Sequence, residues 1–369
     1  MKTIRDIPDL KDKKVLLRVD FDVSISKKGE IEESFRIKKQ KETIDYLVEH
    51  GAHVVMVAHL HDESASFANL VPQLHILLGY EFEFIKKIEL LRSSTPKLGL
   101  LDNIRHPPVG GPSEEKNDPE FAKQLATGFD YYVNNDFAVC HRNHASVSAI
   151  TQFLPSCAGF VIEEEIAQLS KVIDAPKDGK IIIIGGSKAS TKVPVIKNFL
   201  NKADKVLVGG VVANDILKEK GIHMGESIVD DNSAELLLGL SLDDPNLIIP
   251  EDYNVFEDKI LDIGEKTIEN YCDIISKAKI IIWSGPMGMF EKSGFDKGTN
   301  SIAQAIAGSK AFKVLGGGDT ITAVDKINLL NKFDFVSTGG GAMLEFLAGN
   351  QLSGLKALGY YENYCKKKK

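Results

Sequence analysis

Apolar residues occur in short runs of strand length, each followed by a polar or glycine-rich turn and then by a stretch with helical spacing. In the first half the runs are VLLRVDFDV (15–23), HVVMVAHLH (53–61), LGLLDNIRH (98–106) and YYVNND (131–136). In the second half they are IIIIGGSK (181–188), VLVGGVV (206–212), IIIWSGPMG (280–288), VLGGGDT (314–320) and FVSTGGG (335–341). Runs apolar on both faces, alternating with helices, predict α/β architecture with parallel sheets covered on each side. A chain of 369 residues exceeds what one core organises, so two domains are expected. Between the halves, IEEEIAQLSKVI (162–173) places Ile162, Ile166, Leu169 and Ile173 on one helical face. That pattern suits a connector between domains or a surface helix of either one.

In parallel sheets, ligands bind at the carboxyl ends of the strands. The first half presents charged and polar groups there: Asp20, Asp22, His59, Asp62, Arg105, Asn134 and Asp136. The second half presents glycines at Gly185-Gly186, Gly209-Gly210, Gly285, Gly316 to Gly318 and Gly339 to Gly341. Glycine lets the backbone approach a polyphosphate and aim N–H groups at it. One domain is therefore expected to hold a small charged substrate and the other a nucleotide.

Composition narrows the class without changing this picture. With 43% hydrophobic and 26% charged residues the chain is ordinary for a folded protein. A net charge of −7 argues against nucleic acid or an anionic membrane as the main partner. The apolar runs are far too short to span a bilayer, and the charged start MKTIRDIPDLKDKK has no signal-peptide core, so a cytoplasmic protein is expected. Cys140, Cys157, Cys272 and Cys365 are scattered without metal-ligand spacing and read as free thiols. The terminal Lys366 to Lys369 reads as a solvated tail.

GGSKASTK (185–192) lacks P-loop spacing but sets Lys188 and Lys192 four apart just after a strand, where ammonium groups and a helix dipole favour phosphates. Solvated surface lysines are the plain alternative. In VLGGGDTITAVD (314–325), Asp319 either caps a helix or holds the Mg²⁺ of a nucleotide. WSGPMGMFE (283–291) joins a strand end to a Gly285-Pro286 turn and to Glu291, a carboxylate suited to ribose hydroxyls. None of these matches G-x-G-x-x-G, so a Rossmann dehydrogenase has little support.

Taken together and in this order, GGSKASTK, WSGPMGMFE, GGGDT and STGGGA resemble the signature set of the phosphoglycerate kinase family. RVDFDV, EESFRIKK, DNIRHPP, EEKNDPEFAKQLA and NNDFAVCHRNHAS extend the resemblance over essentially the whole chain. The resemblance implies two doubly wound parallel-sheet domains facing each other across a cleft. It implies a substrate domain over 1–160 joined by the segment 350–369, an interdomain helix over 161–174 and a nucleotide domain over 175–349. It implies reversible phosphoryl transfer between 1,3-bisphosphoglycerate and ADP, with Mg²⁺, in a monomer that binds no nucleic acid and no membrane. Substrate contacts would fall on Asp20, Phe21, Asp22, Arg36, His59, Asp62, Arg105 and Arg142. Arg36, Lys188, Gly340 and Gly341 would serve the transferring phosphoryl. Lys192, Pro286, Glu291, Gly317, Gly318, Asp319 and Thr320 would serve the nucleotide, with Asp319 toward the metal.

The departures from the family pattern cluster in the first half. The family's DFN stands here as Asp20-Phe21-Asp22, its HLGR as His59-Leu60-His61-Asp62, and its VNDAFG as Val133 to Ala138 with the carboxylate displaced by one residue. The new acids at Asp22 and Asp62 would repel an anion unless a cation such as Lys27, Lys28 or Lys38 compensates. Weakened substrate binding is therefore expected, with a different acyl phosphate or a nucleotide-binding protein without catalysis as the alternatives.

Overall fold

The computed structural model describes residues 1–92 and 95–362, so Cys365 and the terminal lysines lie outside the described residues. The chain divides into two compact units, Met1–Ile166 together with the segment from Gln351, and Ala167–Asn350. Each is built around its own parallel sheet of six strands.

In the first unit the strands are β1 (Lys14–Arg18), β2 (His53–Val57), β3 (Glu83–Ile85), β4 (Leu98–Leu101), β5 (Tyr131–Asn134) and β6 (Ser156–Ala158). They lie in the order β3-β4-β2-β1-β5-β6, all parallel. Alternation sends successive side chains to opposite faces. Val15, Leu17, Val54 and Met56 therefore join one core, and Leu16, Val55 and Val57 the other. The chain steps outward from β1 through β2 and returns on the other side at β5, which makes the ends of β1 and β5 the topological switch point.

The second unit contains β7 (Lys180–Ile184), β8 (Lys205–Val208), β9 (Leu247–Ile248), an antiparallel hairpin of β10 (Tyr253–Phe256) and β11 (Lys259–Ile263), then β12 (Ile280–Ser284), β13 (Phe312–Gly316) and β14 (Phe335–Val336). The sheet order β14-β13-β12-β7-β8-β9 puts the switch point between β7 and β12. Trp283, the single tryptophan, is fully buried there and donates its indole N–H to the Gly285 carbonyl.

The expected amphipathic helix runs from Phe160 to Asp174, and the division between the units falls inside it. Ile162, Ile166 and Leu169 are buried as the spacing requires, but Val172 takes the last inward position and Ile173 is only half-buried. Beyond Leu169 the inward direction is closer to i+3 than to i+4, as 3.6 residues per turn allows. Among the described residues no helix is long and apolar enough to cross a membrane. Cys140, Cys157 and Cys272 are free thiols.

Candidate active site

At the first unit's switch point a charged residue, Arg18, ends β1 with its guanidinium almost fully buried. Its Nη1 donates to the carbonyls of Val19 at 2.9 Å and Val57 at 3.1 Å, and lies 3.3 Å from Asp136 Oδ2. Its Nη2 lies 3.0 Å from His59 Nδ1. Arginine only donates, so Nδ1 accepts and the neutral imidazole carries its proton on Nε2. That nitrogen faces Asp22 Oδ2 at 3.6 Å. Burial, and then Arg18, push the His59 pKa well below its ordinary value.

Asp20 is buried, and its Oδ1 accepts from the Asp22 backbone at 3.1 Å. Its Oδ2 has no hydrogen bond and sits 3.9 Å from Arg36 Nε. Burial, reinforced by Asp136, raises the Asp20 pKa, and burial likewise raises that of Asp136. Arg36, in the first turn of the helix Phe35–Glu49, donates through Nη1 to the Asp22 carbonyl at 3.1 Å. The Asp22 carboxylate thus faces the neutral His59 Nε2–H while Arg36 meets the Asp22 backbone carbonyl, and no ion pair joins Asp22 to Lys27, Lys28 or Lys38 among the described residues. The displaced carboxylate has a local explanation. Asn135 takes the buried position, accepting from Thr43 Oγ1 and the Val161 N–H and donating to Gln40, while Asp136 turns to Arg18.

Asp62 is exposed and closes its own turn, accepting from Ser64 N at 2.9 Å and Ser64 Oγ at 2.6 Å. Those bonds hold its carboxyl below the ordinary range. Arg105 is paired with Glu63 and Glu115, whereas the half-buried Arg142 guanidinium has no hydrogen bond or ion pair among the described residues. Phe21 offers no side chain to a ligand, because it is fully buried edge-on against Phe67.

In the second unit two glycine turns meet at the β7/β12 switch point. Gly185 N–H donates to the Ser284 carbonyl at 2.9 Å and Gly186 N–H to the Pro286 carbonyl at 2.7 Å. A Cβ on Gly185 would stand 2.2 Å from that Pro286 oxygen, so only glycine permits the approach. Lys188 is exposed at the N-cap position of the helix Ala189–Phe199, while Lys192 is buried, its Nζ close above Gly186. The two lysines share a helix start but not an environment. Burial lowers the Lys192 pKa, opposed by Asp319.

Further helix starts gather at the same edge. The helices Gly210–Glu219, Gly318–Lys326 and Gly340–Leu347 follow β8, β13 and β14. The first N–H groups of each lack intrahelical partners and carry the positive end of the dipole. Gly340 and Gly341 open the last of these, with Gly339 N–H tied to Ser337 Oγ. Gly317 takes a φ of +91°, which glycine adopts freely. Thr320 is buried and its hydroxyl accepts from Gly285 N–H at 2.7 Å, so it braces the two turns instead of facing a ligand.

A cavity of about 490 Å³ opens beside these turns, bordered by Gly186, Pro286, Glu291 and Asp319 and, at its apolar end, by Val211, Leu217, Tyr253 and Phe256. Asp319 is exposed in the first turn of its helix and caps nothing, the N-cap being Gly317. No cluster of three metal-ligating side chains exists among the described residues. A lone free carboxylate beside a phosphate-sized turn suits magnesium, which is commonly held by one or two carboxylates plus phosphate oxygens and water.

The model of the phosphoglycerate kinase family matches residues 4–350. The chain belongs to the phosphoglycerate kinase family. It is 39% identical to phosphoglycerate kinase of Thermosipho africanus over 96% of this chain and 97% of that one. It is 35% identical to that of Moorella thermoacetica over 96% and 98%. Among solved structures, phosphoglycerate kinase from Pyrococcus horikoshii OT3 superposes with a TM-score of 0.83 at 31% identity, covering 97% of this chain and 98% of that chain. The Coxiella burnetii enzyme gives 0.81 at 30%, covering 97% and 99%. Both structures are similar over the two units of this chain, as the two-domain expectation requires.

Reading the sequence alone misses Arg18, Asn135 and Asp262. Arg18 hides inside an apolar run, where a buried arginine must have partners. Asp262 is buried on β11, and its Oδ2 accepts from Gly298 N–H at 2.7 Å, joining the hairpin to the helix Lys297–Gly308. The hairpin itself carries no alternation strong enough to announce it.

Proposed function

We propose that this chain transfers a phosphoryl group reversibly between 1,3-bisphosphoglycerate and ADP, giving 3-phosphoglycerate and ATP. The observation that carries the reading is the cavity of the second unit, lined by Gly186, Gly210, Gly288, Glu291 and Asp319 together with apolar Val211, Leu217 and Phe256, with Lys192 Nζ close above Gly186. Family membership supplies the substrate pair.

In the ATP-forming direction an oxygen of the ADP β-phosphate attacks the acyl phosphorus. The bond from that phosphorus to the carboxyl oxygen breaks, and the carboxylate leaves. No proton is transferred, so no general base is required. The buried neutral His59 fits a donor of one hydrogen bond through Nε2, not a proton carrier. Arg36, Arg105 and Arg142 bind the acid, and Asp20 holds Arg36. Lys192, Pro286, Glu291, Gly317 and Gly318 bind the nucleotide. Lys188, Arg36 and the N–H groups of Gly340 and Gly341 neutralise charge on the phosphoryl in transit, the main demand of this chemistry. Mg²⁺, held through Asp319, adds further charge neutralisation when bound. Free thiols in the described chain agree with a reducing cytoplasm, and we take the working unit to be a monomer.

Asp22 supports a second reading, in which the acid is a relative of 3-phosphoglycerate. Phosphorus NMR of the purified protein with MgATP and 3-phosphoglycerate tests the proposal. With hydroxylamine present to trap the acyl phosphate, ADP resonances should grow only when both substrates are present. ATP left untouched, or hydrolysed whether or not the acid is added, would overturn it.

A further inference from the structure

Arg105 is the most heavily occupied of the arginines assigned to the acid. Its Nε donates to Glu115 Oε1 at 2.9 Å, Nη2 donates to Glu63 Oε1 at 2.6 Å and also meets Glu115, and Nη1 reaches the His61 carbonyl at 3.4 Å. Every nitrogen of this guanidinium therefore already has an acceptor. Four of its five N–H groups are used and only one on Nη1 is left over, so an anion that takes two parallel hydrogen bonds must remove an acceptor.

The two carboxylates are not equivalent. Glu115 closes the short helix Pro112–Glu115, which is anchored by its buried neighbour Glu114, an acceptor from Ser146 N at 2.9 Å and Ser146 Oγ at 2.6 Å. Glu63 stands on the turn after β2, its side chain 56% exposed against 38% for Glu115. That turn is held in place from below. Buried Asn103 accepts from Leu60 N at 3.2 Å and Arg105 N at 3.1 Å, and donates to the carbonyls of Asp62 at 3.1 Å and Ala65 at 2.8 Å. Asp62, through its bonds to Ser64, completes the turn's shape. Turn and arginine thus share one anchor, and Glu63 is delivered to Nη2 with little freedom to wander.

We propose that Glu63 is a built-in competitor for the anionic substrate at Arg105, so that the acid binds by displacing this carboxylate. The inference rests on the assignment of Arg105 to the acid. With Glu63 more than half exposed the pair is held weakly on that side, so a phosphate dianion with two oxygens to offer displaces the carboxylate at modest cost. An acid with a single carboxylate gains less from the same exchange, and the competition therefore sharpens selection for a phosphorylated acid.

Calorimetric titration with 3-phosphoglycerate of the parent, Glu63→Gln, Arg105→Met and the double variant tests the idea as a cycle. Glu63→Gln should lower Kd about two- to fivefold, an effect that fades as salt rises and vanishes in the Arg105→Met background. Arg105→Met alone should raise Kd. A Glu63→Gln Kd equal to or above that of the parent, with Arg105→Met still weakened, would overturn the competitor role. An Arg105→Met Kd equal to that of the parent, or no binding by any of the four proteins, would instead overturn the assignment of Arg105.

Discussion

Arg18 Nη2 lies 3.0 Å from His59 Nδ1, and this single contact fixes which nitrogen of the imidazole carries the proton. The same guanidinium meets Asp136 Oδ2 at 3.3 Å, so one buried cation orients both a histidine and a carboxylate at the end of β1. Arg18→Met removes one partner of a buried pair and should cost about 3–5 kcal/mol of stability. Adding Asp136→Asn should recover part of that loss. Urea unfolding of both variants checks this, and an Arg18→Met midpoint equal to that of the parent would refute the role of Arg18 as an internal counter-charge.

A second prediction concerns acid sensitivity. Burial, then Arg142, push the His144 pKa down to about 4 from 6.5. Between those values the unfolded chain binds the proton and the folded one does not, so stability falls as pH drops through that window. His144→Gln should therefore flatten the loss of stability between pH 6.5 and pH 4. Melting curves across this range would show the same slope in both proteins if His144 were solvated.

The alternation of strands and helices was legible because Val, Ile and Leu occupy both faces of β1, β2, β7 and β12, a pattern that a parallel sheet covered by intervening helices satisfies. Glycines at β7 and β12 were legible for a related reason, since their backbones touch and no Cβ fits between them. Long-range polar pairing was not legible. The turn that Asp62 closes on Ser64 is a local one, but nothing in HDES announces that Glu63 reaches Arg105, 42 residues away. The meeting of Asp22 with His59 and Arg36 depends likewise on three separate strand and helix ends coming to one place.

Those two acids should behave differently on substitution. Asp22→Asn removes a carboxylate beside Arg36 and His59 and should tighten 3-phosphoglycerate binding about three- to tenfold, most strongly at low salt. Asp62→Ala should leave Kd within about twofold and lower the melting temperature slightly, because the carboxylate serves its own turn. Titrations at two ionic strengths distinguish them, and equal effects would contradict the separate environments.

Gly285 has a φ of +95°, and a Cβ there would stand 2.0 Å from the Gly185 carbonyl oxygen. Gly285→Ala should cost about 3 kcal/mol or more and abolish stabilisation by MgADP. Thermal shift with and without nucleotide reads both effects, and a normal nucleotide-induced shift would contradict the tight meeting of the two turns.

We propose Lys188 as the catalytic lysine of this phosphotransferase. Initial rates with MgATP and varied 3-phosphoglycerate, measured for the parent and for Lys188→Ala, test it most directly. The parent should saturate with the acid, and Lys188→Ala should lose about 10²–10³-fold in kcat while its MgADP affinity stays within a few-fold. No acid-dependent turnover by the parent, or an equal rate from Lys188→Ala, would contradict the account.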